Sequence, residues 1–477
     1  MKLDHLIINN HPEPVKQSFD KPANDKKVYI ETYGCQMNFS DTEIVLSVLS
    51  DYGYNESSDI DNSDVILLNT CSIRENAETR VYTRLGQLQK YKRQNPNLVV
   101  GVLGCMAERL RKKLIDELKI VDIIVGPDEY RKVPSLIDNV IYNGEKGIAV
   151  QLSRVETYDD ILPIRKEGIT AWLSIMRGCD KFCTFCVVPF TRGRERSRNH
   201  KNIVNEAIRL RDEGIKDIWL LGQNVNSYKY DDVDFADLLG LTARELPDVR
   251  IRYTTSHPYD CSQKLLETMA EYDNISKYIH LPLQSGSDRV LEKMNRLYSV
   301  EHYMKVMKYA REIMPGVGLS TDIISCFPSE TEDEHKMTMD VMEEVRYDSA
   351  YTFVYSRREN TKAYRMPDLI DEETKKRRLD EIITMQRRVS YDIHKELIGR
   401  EMEVLVESLS KKSDEQYMGR TDCNKPVIIP KEMTFVSEEG ELVSKKPIDI
   451  GDMVKVKINK VNSATLFGEP VLEAVKK

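Results

Sequence analysis

Apolar and polar positions alternate along this chain in three successive rhythms. From about residue 27 to 140 the runs KVYIETY, DVILLNT, LVVGVLG and VDIIVG are separated by polar stretches of helical length. Strand-sized apolar runs spaced in this way predict βαβ units and a parallel sheet. From about 165 to 360 the alternation resumes in longer units, and AWLSIM, DIWLLG, RIRYTT, YIHLPL, GLSTDII and AYTFVYS predict six strands with helices between them. One such helix is expected over 199–213, closed by Gly214, and another over 299–314, closed by Pro315 and Gly316. Six βα units fall short of a closed eight-stranded barrel and suit an open, partial one. Residues 371–398 predict a basic amphipathic helix packed on that barrel, with Leu379, Ile382, Ile383, Val389, Ile393 and Leu397 on one face. After Gly399 the rhythm becomes that of strands alone: EMEVLVES, EQYMGRT, KPVIIP, DMVKVKIN and ATLFGEP predict a small, OB-like β-barrel. The fold expected is α/β, a parallel-sheet domain and a partial (β/α)6 barrel, with an all-β barrel at the C-terminus.

Composition narrows this picture. At 477 residues several domains are expected. The apolar runs are too short to span a bilayer, which argues against a membrane partner. Residues 1–26 are polar, with proline and mixed charge, and read as a mobile tail instead of a signal peptide. An odd count of nine cysteines without a secretion signal favours the reducing cytoplasm over a disulfide framework. A formal net charge of -8 argues against bulk, nonspecific nucleic-acid binding, so any RNA contact must come from local basic patches. Lys411, Lys412, Arg420, Lys425, Lys455, Lys457 and Lys460 could form one such patch on the last barrel.

The candidate chemistry lies in the cysteines. Cys179, Cys183 and Cys186 are spaced C-x3-C-x2-C just after the strand AWLSIM. A structural zinc site wants four ligands, usually from two CxxC pairs, and no second pair accompanies this run. Three thiolates can instead hold three irons of a cubane cluster and leave the fourth open to a small molecule. Cys35, Cys71 and Cys105 each follow one of the first three predicted strands. Ligand sites in open α/β sheets gather at the carboxyl ends of strands, so these cysteines are expected to converge as a second triad. Alone, each would more often be a small buried hydrophobe. TYGC and VLGC also place glycine directly before cysteine, which permits a tight cluster loop.

Polar residues are expected at the strand ends of the six-stranded barrel: Gln223 and Asn224, Ser256 and His257, Gln284 and Ser285, Thr321 and Asp322. Cys261, Cys326 and Cys423 fit no pattern and are expected to be structural. The sequence singles out no catalytic acid or base. Behind the second triad, VVPFTRGRERSRNHK brings Arg192, Arg194, Arg196 and Arg198 against one acid, Glu195. Such a run suits phosphate contacts to RNA; ion pairs with acidic helices are the competing assignment.

Together these pieces resemble the radical S-adenosylmethionine (SAM) methylthiotransferases, over about residues 27 to 465. YGCQMN, NTCSIRENAETRVYTRLG, GCMAE and VVPFTRGRERSR place the resemblance nearest the MiaB-type branch acting on tRNA. The resemblance implies a methylthiotransferase domain over 27–145, a radical-SAM core over 165–397 and a TRAM RNA-binding domain over 398–465. It assigns Cys35, Cys71 and Cys105 to an auxiliary 4Fe–4S cluster, and Cys179, Cys183 and Cys186 to a 4Fe–4S cluster that binds SAM. Gln223, Asn224, Ser256, His257, Gln284, Thr321 and Asp322 are the expected SAM-binding set. The implied reaction is 2-methylthiolation of isopentenyladenosine beside a tRNA anticodon, consuming two SAM, with the auxiliary cluster as sulfur carrier. Implied partners are the anticodon stem-loop, a reductase or flavodoxin-like electron donor and a sulfur-replenishing protein. Threonylcarbamoyladenosine in tRNA or a ribosomal protein is the alternative substrate, and a noncatalytic, metal-stabilised RNA-binding protein the distant alternative. Two motifs depart from the family pattern: CFPSE stands where GFPGE is common, and YSRRENTKA lacks the usual Pro-Gly before Thr361.

Overall fold

A computed structural model describes residues 24–72, 75–165, 168–436 and 442–471. Most of the expected N-terminal tail, residues 1–23, lies outside the described residues. The first unit is a six-stranded parallel sheet of β1 (Lys27–Thr32), β2 (Asn55–Glu56), β3 (Val65–Thr70), β4 (Val99–Gly104), β5 (Ile123–Val125) and β6 (Gly147–Ala149). Its spatial order is β2-β1-β3-β4-β5-β6. The sequence rhythm predicted β1, β3, β4 and β5. The short edge strands β2 and β6 carry too few apolar residues to register. Alternate residues of β3 enter opposite cores: Val65 and Leu67 pack on one face, Ile66 and Leu68 on the other. Both faces are therefore covered, as a parallel sheet requires.

The second unit begins with β7 (Thr170–Ser174) and the short pair β8 (Met176–Arg177) and β9 (Arg196–Ser197). It continues through β10 (Asp217–Leu221), a small hairpin of β11 (Lys229–Tyr230) and β12 (Val233–Asp234), β13 (Arg250–Tyr253), β14 (Tyr278–His280), β15 (Gly318–Ser325) and β16 (Ser349–Val354). Two parallel three-stranded sheets, β13-β10-β7 and β14-β15-β16, form the wall. A parallel bridge runs from Ile251 of β13 to Ile275, in the segment that leads into β14, so the two sheets follow one another in the partial six-stranded barrel that the repeat count implied. The predicted helices are present: His200–Asp212 is capped by Asn199, Val300–Ile313 by Ser299 and Glu372–Lys395 by Asp371.

The third unit is a closed five-stranded barrel of β17 (Glu401–Ser410), β18 (Ser413–Thr421), β19 (Pro426–Pro430), β22 (Met453–Val461) and β23 (Leu466–Pro470). Between them, β20 (Glu432–Val436) pairs with β21 (Leu442–Pro447) in a hairpin that the sequence reading did not include. The barrel docks on the amino-terminal end of the six-stranded wall, through the turn between β18 and β19. Arg252, 1% exposed, bonds Asp217 Oδ1 at 2.8 Å, Ser276 Oγ at 3.1 Å, Asn424 Oδ1 at 3.1 Å and the Thr421 carbonyl at 3.2 Å. Lys277 N donates to Asp422 Oδ2 at 3.1 Å, and Lys425 pairs with Asp348. A Cβ on Gly318 would meet the Cys423 carbonyl at 2.4 Å, so that turn seals the barrel floor closely.

Truncation before Gly399 is consequently not a neutral cut. It leaves Arg252 its ion pair with Asp217 but removes the Asn424 and Thr421 acceptors and the Lys425 partner of Asp348; hydrogen bonds to charged groups contribute about 1.5–3 kcal/mol each. Thermal unfolding of the truncated protein should shift down by roughly 5–10 °C, and an unshifted transition would show the floor contacts to be dispensable.

Candidate cluster and cofactor site

The three cysteines of the first triad follow β1, β3 and β4, which are neighbours in the sheet. Cys35 caps the helix Gln36–Asp51, Cys71 follows β3 directly, and Cys105 opens the helix Cys105–Leu110. Gly34 has φ +136° and approaches Cys71 so closely that a Cβ would meet its Cβ at 2.5 Å. Gly104 has φ +90°, and a Cβ there would meet the Thr70 carbonyl at 2.5 Å. Only glycine gives both the conformation and the clearance. The hydrogen bond with Cys71 draws the Cys35 thiol down to about 6, against the effect of burial, with help from Arg192. Burial pushes the Cys105 thiol up, although the Arg192 guanidinium beside it works the other way.

The second triad sits in the loop after β8. Residues 294–296 clasp that loop: Thr184 N donates to the Met294 carbonyl at 2.9 Å, and Asn295 Nδ2 donates to the Lys181 carbonyl at 3.0 Å. Arg296 Nη1 donates to Cys183 Sγ at 3.4 Å. Burial pushes the thiols of Cys179 and Cys186 up to about 12. Metal binding must displace those protons, because the thiolate is the ligand. Among the described residues no group of three or more His, Cys, Asp or Glu side chains closes around a single ion. Both triads are sulfur-only donor sets, the kind that iron–sulfur clusters use.

Polar side chains surround the carboxyl ends of the second unit's strands, and four of those singled out in the sequence carry buried atoms with no partner. These are Asn224 Oδ1, Ser256 Oγ, His257 Nε2 and Gln284 Oε1. Buried polar atoms are normally satisfied, so four orphans on one strand-end surface mark a place for a polar ligand. His257 is pushed down to about 2 by burial, Arg296 and Lys181, and is neutral at physiological pH. Gln223 has a different task, since its Oε1 accepts from Gly178 N and holds the cysteine loop. Ser285 is buried and accepts from Ser287 N.

Thr321 and Asp322 do not stand at a strand end, because β15 runs on to Ser325. The Thr321 hydroxyl is committed to the β14 connection, donating to the Leu281 carbonyl at 3.0 Å and accepting from Leu283 N at 2.8 Å. Asp322 is half-buried and lies 3.6 Å from His280 Nε2.

The arginine run calls for a correction. Arg192 pairs with Asp41 at 2.7 Å, Arg196 with Asp128 at 2.7 Å, and Arg198 with Asp159 and Glu206 at 2.7 and 2.8 Å. All three are buried and do not face an RNA: Arg192 and Arg196 lock the first two units together, while Arg198 ties the second unit to its own helix His200–Asp212 and to the segment that leads into it. Arg194 alone of the four is exposed, stacked over Phe182 and paired with Asp180. Apart from Glu206, eight residues beyond Arg198, the carboxylates come from distant segments, which is why the run looked uncompensated in sequence. On the last barrel, Lys425 is buried against Asp348 and Arg420 half-buried against Glu407, leaving Lys411, Lys412, Lys455, Lys457 and Lys460 exposed.

Three side chains that the sequence reading passed over complete the site. Arg177 is 1% exposed and pairs with Asp41 at 2.9 Å. Its only sequence signal is its place two residues before Cys179. Asp41 and Arg296 had none, being single polar residues in ordinary helical and loop contexts. The departures from the family pattern also find a place. Cys326, Ser329 and Asn360 have φ of +59°, +70° and +70°, the region in which glycine is unstrained. The backbone turn is kept with other residues in it, and Asn360 is the most easily tolerated of the three.

Family models match three successive segments: "Uncharacterized protein family UPF0004" over 27–126, "Radical SAM superfamily" over 173–342 and "TRAM domain" over 395–471. A tRNA-2-methylthio-N(6)-dimethylallyladenosine synthase of Chloroherpeton thalassium is 50% identical over 446 residues, covering 93% of this chain and 95% of the relative. The enzyme of that name from Christiangramia forsetii is 48% identical over 472 residues, covering 94% and 95%. Among solved structures, the radical SAM methyltransferase TsrM of Kitasatospora setae aligns with TM-score 0.56 at 13% identity, covering 72% of this chain and 77% of that one, a likeness of fold. With two cysteine triads, a partial barrel and relatives of this identity across nearly its full length, the chain belongs to the radical-SAM family of tRNA-2-methylthio-N(6)-dimethylallyladenosine synthases.

Proposed function

We infer that the protein is a radical-SAM tRNA methylthiotransferase that converts isopentenyladenosine beside the anticodon to its 2-methylthio derivative. The observation carrying this reading is a buried network that links the segment just after the second triad to the residues beside the first. Arg192 lies six residues after Cys186 in the chain, yet its guanidinium reaches Asn38 Oδ1 at 3.1 Å and Asp41 Oδ2 at 2.7 Å beside the first triad. A chain holding one redox centre for bond cleavage and another for sulfur delivery needs such an arrangement.

Cys179, Cys183 and Cys186 would hold one 4Fe–4S cluster and Cys35, Cys71 and Cys105 another. When bound, the first supplies the electron that cleaves SAM and the second the sulfur to be transferred. Asn224, Ser256, His257 and Gln284 are the side chains best suited to grip SAM, because their orphaned atoms need polar partners there. Gln223 positions the cysteine loop instead. Arg194 and the exposed lysines of the last barrel suit the phosphates of an anticodon stem-loop, in a protein whose other charges repel them. The barrel docks at the end of the wall opposite the orphaned atoms, so its lysines suit a more distant part of the RNA. An electron donor and a sulfur-replenishing protein complete the cycle. No helix among the described residues is long and apolar enough to cross a membrane. A tRNA substrate is what places the enzyme in the cytoplasm.

An anaerobic reaction containing SAM, a reductant and isopentenylated tRNA tests the reading by nucleoside mass spectrometry. The expected product is 2-methylthio-isopentenyladenosine. Product on threonylcarbamoyladenosine or on a ribosomal protein, with none on isopentenyladenosine, would overturn the substrate assignment.

A further inference from the structure

Each cysteine triad is faced by a buried guanidinium whose charge no carboxylate fully cancels. At the second triad this is Arg296, 5% exposed. Its three nitrogens are spent on Cys183 Sγ at 3.4 Å, the Pro282 carbonyl at 2.9 Å and Tyr298 Oη at 3.2 Å. Among the described residues Arg296 has no carboxylate within ion-pair distance. Neighbouring charges are largely paired with each other, Lys181 with Asp260 at 2.7 Å and Arg194 with Asp180 at 2.8 Å. Glu195 bears on Cys179 and takes a hydrogen bond from Asp180 N.

At the first triad the guanidinium is that of Arg192, within a larger network. Arg177, Arg192 and Arg196 share Asp41 and Asp128, and all five side chains are at most 5% exposed. Three cations against two anions leave one positive charge in the interior. Within the network, Arg192 Nη1 is buried without an oxygen or nitrogen partner; the guanidinium donates at 3.1 Å to Asn38 Oδ1, which also takes the Cys35 thiol at 3.7 Å, and it lies beside Cys105. Burying an uncompensated charge is expensive unless an opposite charge arrives. A cubane bound by three thiolates is such an anion, and it becomes more negative on reduction.

We propose that Arg296 and Arg192 are the fixed counter-charges of the two clusters, each raising the reduction potential of the cluster it faces. The inference rests on the two-cluster reading above. A buried positive charge favours the more negative, reduced state, and the effect is strong where the surroundings screen poorly. It also falls steeply with distance, so each arginine should act on its own cluster. Both are positioning residues and are not required to touch substrate.

Redox titration of the anaerobic holoenzyme, followed by electron paramagnetic resonance, tests this, with iron content measured alongside. Arg296→Gln should disfavour reduction of the SAM cluster by about tenfold, about 59 mV for a one-electron couple, and leave the auxiliary cluster unmoved. Arg192→Gln should do the reverse. Arg296→Lys and Arg192→Lys keep the charge and should stay near the wild-type potentials. Full iron content with unmoved potentials in the Gln variants overturns the proposal, as does a Lys variant that shifts as far as its Gln counterpart. If a Gln variant takes up no iron, a loaded Lys variant with the wild-type potential upholds the charge role, and an equally empty one overturns it. Wild-type protein with a single cluster would sink the two-cluster reading instead, a result distinct from either.

Discussion

Replacing Cys179, Cys183 and Cys186 together by Ala abolishes formation of 5′-deoxyadenosine from SAM, while replacing Cys35, Cys71 and Cys105 leaves that cleavage intact and stops methylthio product. These are the expected outcomes if the two triads hold clusters of different task. They are the largest effects predicted for this protein, because each removes a whole redox centre. Anaerobically purified wild-type protein should hold about eight irons, and either triple variant about four. The physical ground is the separation of the triads. One lies on three adjacent strands of the first sheet, and the other in a loop of the second unit, clasped by residues 294–296. Loss of one therefore need not disturb the ligands of the other. Methylthio product from the Cys35, Cys71 and Cys105 variant would mean that the sulfur comes from elsewhere.

Asp41→Ala should be the most damaging single change outside the cysteines. Its carboxylate is fully buried and receives Arg177 on one oxygen at 2.9 Å and Arg192 on the other at 2.7 Å. Removing it leaves two buried guanidinium groups facing each other, a penalty of about 3–5 kcal/mol. That is a large fraction of the roughly 5–15 kcal/mol that holds an ordinary domain folded. Denaturant unfolding should show the loss, and a change below about 1 kcal/mol would mean that the network relaxes around the gap. The same contact predicts an acid limb. Burial pushes the Asp41 carboxyl up, but Arg177 and Arg192 together outweigh it and hold the carboxyl below its ordinary range. A depressed folded-state pKa gives stability that is fully present above the unfolded value, about 3.9, and lost as pH falls through the folded value. Wild type should therefore lose stability in acid more steeply than Asp41→Ala, which has no such group to protonate.

The strands on which the site stands were legible in the sequence because each is a short apolar run between turn residues, and the pattern depends only on local chain order. The spacing C-x3-C-x2-C is local too, as is glycine before cysteine. The convergence of Cys35, Cys71 and Cys105 could be inferred because β1, β3 and β4 are parallel, so their carboxyl ends face the same way. The positions that depart from the family pattern, Cys326, Ser329 and Asn360, were visible as departures, but only the backbone shows that all three occupy glycine's conformational region. Thr321 and Asp322 were misplaced at a strand end although the predicted strand GLSTDII already contained them, and β15 matches that run to within one residue.

Charge partners were beyond the sequence. The run from Arg192 to Arg198 reads as a free basic patch, since Asp41, Asp128 and Asp159 lie 151, 68 and 39 residues from the arginines they meet, and only Glu206 is near, eight residues beyond Arg198. Periodicity reports which face of an element is buried; it carries no information on which distant ion will be buried against it. Tertiary packing decided that Arg192 and Arg196 bind the first two units together, that the last barrel seals the floor of the second, and that Arg296 and Arg192 stand one beside each triad. The sequence determined which elements form and which thiols are available. The three-dimensional structure determined which charges those thiols face, because burial fixes the partner of every ion that water no longer reaches.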